Sequence, residues 1–201
     1  MKELLEKSFE AGMSYKAYRT MTRDLIAHEK TTGPNQSEDM VRYTKLNEQR
    51  MNRLDKTIRL TEETEAFFKD LKVPLHWLVI TEPWCGDAAH SVPLFNAISE
   101  IAPSIKMKLV LRDENAELMD KFEQNGSRAI PIVVNIDTRT GESLGAWGAR
   151  PVPAQVFVDE YKSKDPKPPY DELVTTLQKW YNQDKSKTTQ KELVDFIKSI
   201  T

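Results

Sequence analysis

The sequence contains 201 residues, and 29 lysine and arginine residues against 31 aspartate and glutamate residues give a formal net charge of −2. This balance argues against nucleic-acid or membrane-surface binding, which normally needs a basic excess, so we expect a protein or small-molecule partner. No stretch approaches the roughly 18 apolar residues of a membrane span, and the first residues lack a signal peptide's apolar run, so we expect a cytoplasmic protein.

The first third of the chain has the apolar spacing of amphipathic helices. Apolar residues recur at helical intervals in three segments, which begin near Leu4, Tyr15 and Met40. A further helix is predicted to begin near Thr61, where a threonine precedes acidic residues. Residues 1–72 are therefore predicted to form a helical extension that packs on the rest of the protein.

From Leu75 onward, short apolar runs alternate with helical segments, a pattern typical of βαβ units. Strands are predicted over residues 75–81, 105–111, 132–136 and 142–147. Helices are predicted over residues 88–101, 116–124, 151–161, 170–182 and 189–200. A polar, proline-rich connector separates the last two helices from the rest. We therefore predict a core domain at residues 73–162, followed by C-terminal helices at residues 163–201.

The only cysteine, Cys85, lies between a predicted strand and a predicted helix, in the sequence Trp84-Cys85-Gly86-Asp87-Ala88. Free N–H groups at a helix N-terminus favour a thiolate, the form of cysteine that attacks disulfides. Asp87 opposes thiolate formation through like-charge repulsion, which leaves the direction of the pKa shift open. A single cysteine cannot form an internal disulfide, so any disulfide must join Cys85 to another molecule.

This motif resembles that of the thioredoxin superfamily, whose members hold W-C-x-x-C between a strand and a helix. Pro93 matches the proline of the family's active-site helix, and Pro131, 46 residues after Cys85, matches its cis-proline. The resemblance implies an α/β, thioredoxin-like fold: a mixed central sheet flanked by helices, here with added N-terminal and C-terminal helices. More narrowly, the chain resembles a bacterial branch of thioredoxin-like proteins.

Ala88 stands where the family has its second cysteine, so the usual dithiol cycle cannot run within this chain. The resemblance then implies a monothiol redox protein, in which Cys85 exchanges with protein or low-molecular-weight disulfides and needs no cofactor. The residues implied to contact the substrate are Trp84, Gly86, Asp87, Ile130 and Pro131.

Other functions stay open, because the fold alone does not choose between them. In the main alternative, the groove beside Ile130 and Pro131 binds an extended peptide, and Cys85 performs no chemistry. A peroxide-reducing or sensing thiol is more remote, since the residues before Cys85 lack the peroxiredoxin motif. Whether the protein is an enzyme is therefore left undecided at this point.

The remaining polar residues have simpler interpretations. His90 is predicted to form a surface pair with Asp87, three residues earlier on the same helix. Arg128 and Arg150 are expected to be solvated surface residues by default, although both could approach the thiol. Trp147 is predicted to belong to the core. The histidines and the single cysteine lack metal-ligand spacing, so no metal site is predicted.

Overall fold

The computed structural model of the protein describes residues 1–124 and 126–201. The helices are α1 (Lys2–Ala11), α2 (Tyr15–Ala27), α3 (Glu38–Thr57), α4 (Glu62–Asp70), α5 (Gly86–Ile101), α6 (Ala116–Asp120), α7 (Val152–Ser163), α8 (Tyr170–Asp184) and α9 (Lys187–Ile200). The strands are β1 (Leu75–Thr81), β2 (Ile105–Leu111), β3 (Ile132–Asp137) and β4 (Ser143–Gly148). None of the described helices is both long and apolar enough to span a membrane.

The four strands form one mixed sheet in the order β2-β1-β3-β4. Strand β1 pairs with β2 in parallel, and β3 pairs antiparallel with both β1 and β4. A parallel pair needs a crossover between its strands, which α5 supplies, whereas β3 and β4 are joined by a short hairpin turn. The structure thus confirms the predicted mixed sheet with flanking helices.

The sheet separates two apolar clusters, because alternate residues of a strand point to opposite faces. Trp77 packs edge to face on Phe68 and Phe95 on one side, whereas Leu78 and Ile80 are buried on the other. Trp147 packs against Phe95 in the first cluster, as predicted for a core residue. Both faces of β1 are therefore covered, which explains its nearly continuous apolar sequence.

The helices that precede β1 and follow β4 pack against the sheet and its flanking helices. Leu5 of α1 is fully buried against the sheet, and the ring of Phe9 stacks on His76 of β1 with centroids 3.8 Å apart. Helix α3 packs along α5, and α9 contacts both β4 and α4. The Trp147 indole donates a hydrogen bond of 3.0 Å to Glu192 of α9. The division into three domains stays a prediction.

Several element boundaries differ from those predicted, and two of these differences have clear local reasons. Helix α5 begins at Gly86 rather than at residue 88, because Cys85 caps it and accepts a hydrogen bond from the Ala88 N–H. Helix α6 ends at Asp120 rather than at residue 124, because Gln124 forms an antiparallel bridge with Ser127 that turns the chain away.

Candidate active site

Strand β1 and helix α5 together fix the position of Cys85. The Cys85 N–H donates to the Glu82 carbonyl oxygen at 3.1 Å, which closes a tight turn after the strand. The sulfur accepts a hydrogen bond from the Ala88 N–H at 3.5 Å and donates one to the Ile130 carbonyl oxygen at 3.3 Å. The thiol therefore sits between the start of α5 and the loop that precedes β3.

That loop contains a cis peptide bond between Ile130 and Pro131, as predicted. Strand β4 lies against it at Gly148, which has a φ of +150°. A Cβ atom at this position would be 2.3 Å from the Pro131 carbonyl oxygen, a distance that no side chain tolerates. Gly148 is thus required for β4 to approach the loop that holds the Ile130 carbonyl next to the thiol.

The Asp87 carboxylate is fully engaged by residues from distant parts of the chain. Its Oδ2 accepts hydrogen bonds from Arg150 at 2.7 and 2.9 Å, and its Oδ1 accepts one from the Tyr181 hydroxyl at 2.7 Å. The default expectation that Arg150 is a solvated surface residue is therefore wrong. The Arg150 side chain is only 14% exposed and lies beside the site.

His90 is buried rather than on the surface, so the predicted pair with Asp87 is also wrong. Its ring stacks on Tyr181 with centroids 4.3 Å apart, and its Nε2 lies 3.2 Å from the Gln178 Oε1. Burial disfavours the charged imidazolium and lowers the pKa of His90 to about 4. His90 is consequently neutral at pH 7.

The surroundings of Cys85 favour its protonated form. Burial raises the pKa of the Cys85 thiol to about 12, and the negative charge of Asp87 acts in the same direction. The Ala88 N–H and the positive charge of Arg150 act in the opposite direction, but they do not outweigh the burial. The sequence left open whether the pKa of Cys85 is raised or lowered. The structure favours a raised pKa, so the resting site contains a thiol.

A cavity of about 560 Å³ lies over Cys85. Its walls come from α3, the start of α5, the loop before β3, the end of α7 and α8. Four of the five residues predicted to contact the substrate line it, namely Trp84, Gly86, Asp87 and Ile130. The fifth, Pro131, is buried and is not among the lining residues. The Arg112 guanidinium lies over the Trp84 ring, with its central carbon 4.6 Å from the centroid of that ring.

Sequence reasoning missed three residues that shape this cavity: Arg50 on α3, and Gln178 and Tyr181 on α8. No local pattern singles them out, because each lies on an amphipathic helix whose polar face looks like ordinary surface. Only the packing of α3 and α8 beside α5 brings them to the thiol.

Glu82, a fully buried carboxylate three residues before Cys85, was missed as well. It accepts hydrogen bonds from the Asp113 N–H at 2.9 Å and from the Thr32 hydroxyl. Burial raises the pKa of Glu82 to about 6, despite these two hydrogen bonds. Its position after an apolar strand, in the sequence Thr81-Glu82-Pro83, was a signal that could have found it.

Residues 1–124 and 126–201 contain no group of three or more histidine, cysteine, aspartate or glutamate side chains arranged to hold a metal ion.

Comparisons with known proteins agree with the architecture. A family model described as Thioredoxin matches residues 33–162. A crystal structure of a protein of unknown function, PA1234 from Pseudomonas aeruginosa, superimposes with a TM-score of 0.62 at 15% identity over 96% of each chain. An HIV epitope scaffold superimposes with a TM-score of 0.59 at 16% identity over 98% of each chain. No curated protein matches the chain significantly. At such identities the two structures show a shared fold.

Proposed function

This chain belongs to the thioredoxin-like superfamily, and from that premise we propose that it is a monothiol protein in which Cys85 exchanges with disulfides. The observation that carries the proposal is the place of the sulfur. It caps α5, lies 3.3 Å from the Ile130 carbonyl oxygen, and faces a cavity of about 560 Å³. A disulfide bound in this cavity would have one sulfur within reach of Cys85.

The proposed reaction has two balanced steps. The Cys85 thiol loses its proton to solvent, and the thiolate attacks one sulfur of a disulfide, which forms a mixed disulfide and releases the other half as a thiolate. A second thiolate from solution then attacks this mixed disulfide, which regenerates Cys85 and releases a new disulfide. Ala88 replaces the internal resolving thiol, so the mixed disulfide persists until that second thiol arrives.

The raised pKa of Cys85 makes the first step depend on pH. Well below the pKa, the thiolate fraction increases tenfold for each unit of pH, and the exchange rate follows it. The same raised pKa favours a second candidate function, in which the cavity binds a ligand and Cys85 remains an unreactive thiol. Peptide binding beside Ile130 belongs to this class.

Adduct formation with a neutral disulfide distinguishes the two functions. Native protein is incubated with 2-hydroxyethyl disulfide between pH 7 and pH 10, and intact mass is followed over time. We expect one adduct per chain, formed about tenfold faster for each unit of pH, reversed by reduced thiol and absent from Cys85→Ser. Native protein that stays unmodified at pH 10, while denatured protein reacts readily, would leave only the binding function.

A further inference from the structure

The cavity over Cys85 is strongly cationic, although the whole chain carries a net charge of −2. Among the described residues that line it, the only carboxylate is that of Asp87. Its cationic lining residues are Arg50, Arg112, Arg128, Arg150, Lys162 and Lys167. This concentration of one sign of charge in a concave site raises the local concentration of anions.

Only half of these cations are neutralised by neighbouring carboxylates. The ion-paired residues are Arg112 with Asp113, Arg128 with Asp120, and Arg150 with Asp87. Within residues 1–124 and 126–201, Arg50, Lys162 and Lys167 have no carboxylate at ion-pair distance. Three uncompensated positive charges therefore face the cavity.

Arg50 is the best oriented of the three. Its Nη1 donates a hydrogen bond of 2.7 Å to the Asn47 Oδ1, and the Asn47 Nδ2 donates one of 2.9 Å to the Pro83 carbonyl oxygen. The same Nη1 lies 3.9 Å from the place of a Cβ atom on Gly86, the first residue of α5. Partial burial and the nearby Arg53 lower the pKa of Arg50, with no carboxylate to offset them. Arg50 is thus a half-buried cation without a counter-ion at a helix N-terminus, where anions are favoured.

The shape of the cavity favours a small molecule over an extended chain. The Tyr43 hydroxyl of α3 donates to Asp171 of α8 at 3.3 Å, and Arg53 of α3 donates to Asn182 of α8 at 2.8 Å. These two contacts join α3 to the first and last turns of α8. Its volume of about 560 Å³ falls within the roughly 300–1,000 Å³ of small-molecule sites.

We propose that the disulfide with which Cys85 exchanges is a low-molecular-weight disulfide whose substituents carry carboxylate or phosphate groups, held by Arg50, Lys162 and Lys167. This inference rests on the proposed function and names its substrate class. The anionic group binds near Arg50, and the apolar wall formed by Tyr161, Tyr170 and Leu173 covers the rest of the substituent.

Four disulfides with the same type of scissile bond test the proposal. They are oxidised glutathione (carboxylates), coenzyme A disulfide (phosphates), 2-hydroxyethyl disulfide (neutral) and cystamine (cationic). Rates of adduct formation at pH 8 and low salt, where cystamine remains mainly cationic, are divided by the rates for denatured protein, which removes intrinsic reactivity. We expect at least one anionic disulfide to react about tenfold faster than cystamine, with the difference shrinking as salt is added. A preference for oxidised glutathione would indicate that the cavity binds carboxylates, and a preference for coenzyme A disulfide would indicate that it binds phosphates.

Charge-removing variants locate the site. In the triple variant Arg50→Gln, Lys162→Gln, Lys167→Gln, the ratio of the rate with the preferred anionic disulfide to the rate with 2-hydroxyethyl disulfide should fall about tenfold. Lys106→Gln is the matched control, because this exposed lysine lies on β2 opposite His76, at the far end of β1 from Cys85. It should leave both rates unchanged.

The outcomes separate the two proposals. Equal corrected rates for all four disulfides would overturn the anionic substrate but retain the exchange reaction. A triple variant that behaves like the wild type would also overturn it. If no disulfide reacts, the exchange reaction fails, and calorimetric titration of Cys85→Ser with S-methylglutathione and inorganic phosphate then tests the anion site alone. Binding that is lost on Arg50→Gln would support the anion site, and no binding would overturn it.

Discussion

At the scale of single residues, two opposing effects of its position determine whether Cys85 is protonated. A helix N-terminus stabilises a negative charge by typically 0.3–1 kcal/mol, which corresponds to less than one pKa unit. Burial of a charge shifts a pKa by several units. The neighbouring Asp87 adds repulsion to the burial, so the pKa of Cys85 rises although the residue caps a helix.

We predict that Asp87→Asn lowers the pKa of Cys85. The substitution removes the nearest negative charge and leaves Arg150 free to stabilise the thiolate, while the amide oxygen can still accept the Tyr181 hydrogen bond. Iodoacetamide alkylation at pH 8 should be about tenfold faster, which corresponds to a fall of about one pKa unit. The rate is measured by intact mass across a pH series.

Asp120→Asn is the control for this substitution. It also breaks an ion pair with a cavity arginine, Arg128, but Asp120 is not among the groups that shift the pKa of Cys85. Its alkylation profile should match that of the wild type. An unchanged or slower rate in Asp87→Asn would show that Asp87 does not oppose the thiolate.

At the scale of secondary-structure elements, the contact between α5 and α8 includes a stacked pair of rings. His90 and Tyr181 lie parallel, at an interplanar angle of 4°, in a buried position. A neutral imidazole suits this environment, whereas an imidazolium would have to give up its hydration. Tyr181 also donates to Asp87, so the same contact supports the site.

We predict that this contact makes the protein less stable as the pH falls. Because the pKa of His90 is about 4 in the folded state and 6.5 without burial, only the unfolded chain takes up this proton between these values. The contribution of neutral His90 to the free energy of unfolding is complete above pH 6.5. It is lost as the pH falls towards 4, and the loss is roughly 3 kcal/mol. His90→Phe preserves a ring for stacking and should abolish this component in urea unfolding from pH 7 to pH 4.

His28→Phe is the matched control, since this histidine is exposed at the end of α2 and its ring nitrogen contacts a backbone carbonyl, that of Asp24. Its unfolding free energy should follow the same pH dependence as that of the wild type. A His90→Phe variant that loses stability with falling pH as steeply as the wild type would contradict the assignment.

At the scale of the whole molecule, Glu82 joins three regions of the chain. Its carboxylate accepts from Thr32 in the segment between α2 and α3 and from the Asp113 backbone in the segment after β2. Glu82 itself directly follows β1 and begins the turn that leads to α5. One buried carboxylate therefore links the N-terminal helices to two strand ends, at the cost of removing a charge from water.

We predict that Glu82 contributes a pH dependence of the opposite sign to that of His90. Its pKa is raised from 4.5 to about 6, so the folded state holds this proton more tightly than the unfolded chain. The resulting stability is complete below pH 4.5 and is lost as the pH rises through 6, by roughly 2 kcal/mol. Glu82→Gln, which can donate to Thr32 and accept from Asp113, should remove this component.

The measurement is the difference in unfolding free energy between Glu82→Gln and the wild type at pH 4.5 and at pH 7. The variant should gain stability relative to the wild type on going to pH 7. An identical difference at both pH values would mean that Glu82 titrates in the same way in the folded and unfolded states.

Much of the architecture could be predicted from the sequence, because it is encoded locally. The bounds of β1 and β2 agree with the prediction, because each is a short, mainly apolar segment bounded by polar or turn residues. The position of Cys85 at a strand-to-helix junction follows in the same way. The cis bond before Pro131 was predicted from the family resemblance alone.

The sequence by itself determined the fold family, the single thiol and the absence of an internal partner for it, because these depend on short motifs and on counting one residue type. Tertiary structure decided the protonation of Cys85 and the charge of its surroundings. The Asp87, Arg150 and Tyr181 cluster and the cavity residue Arg50 come from separate elements. Burial and electrostatic interaction depend on distance in space, and the packing of α3 and α8 around α5 sets those distances.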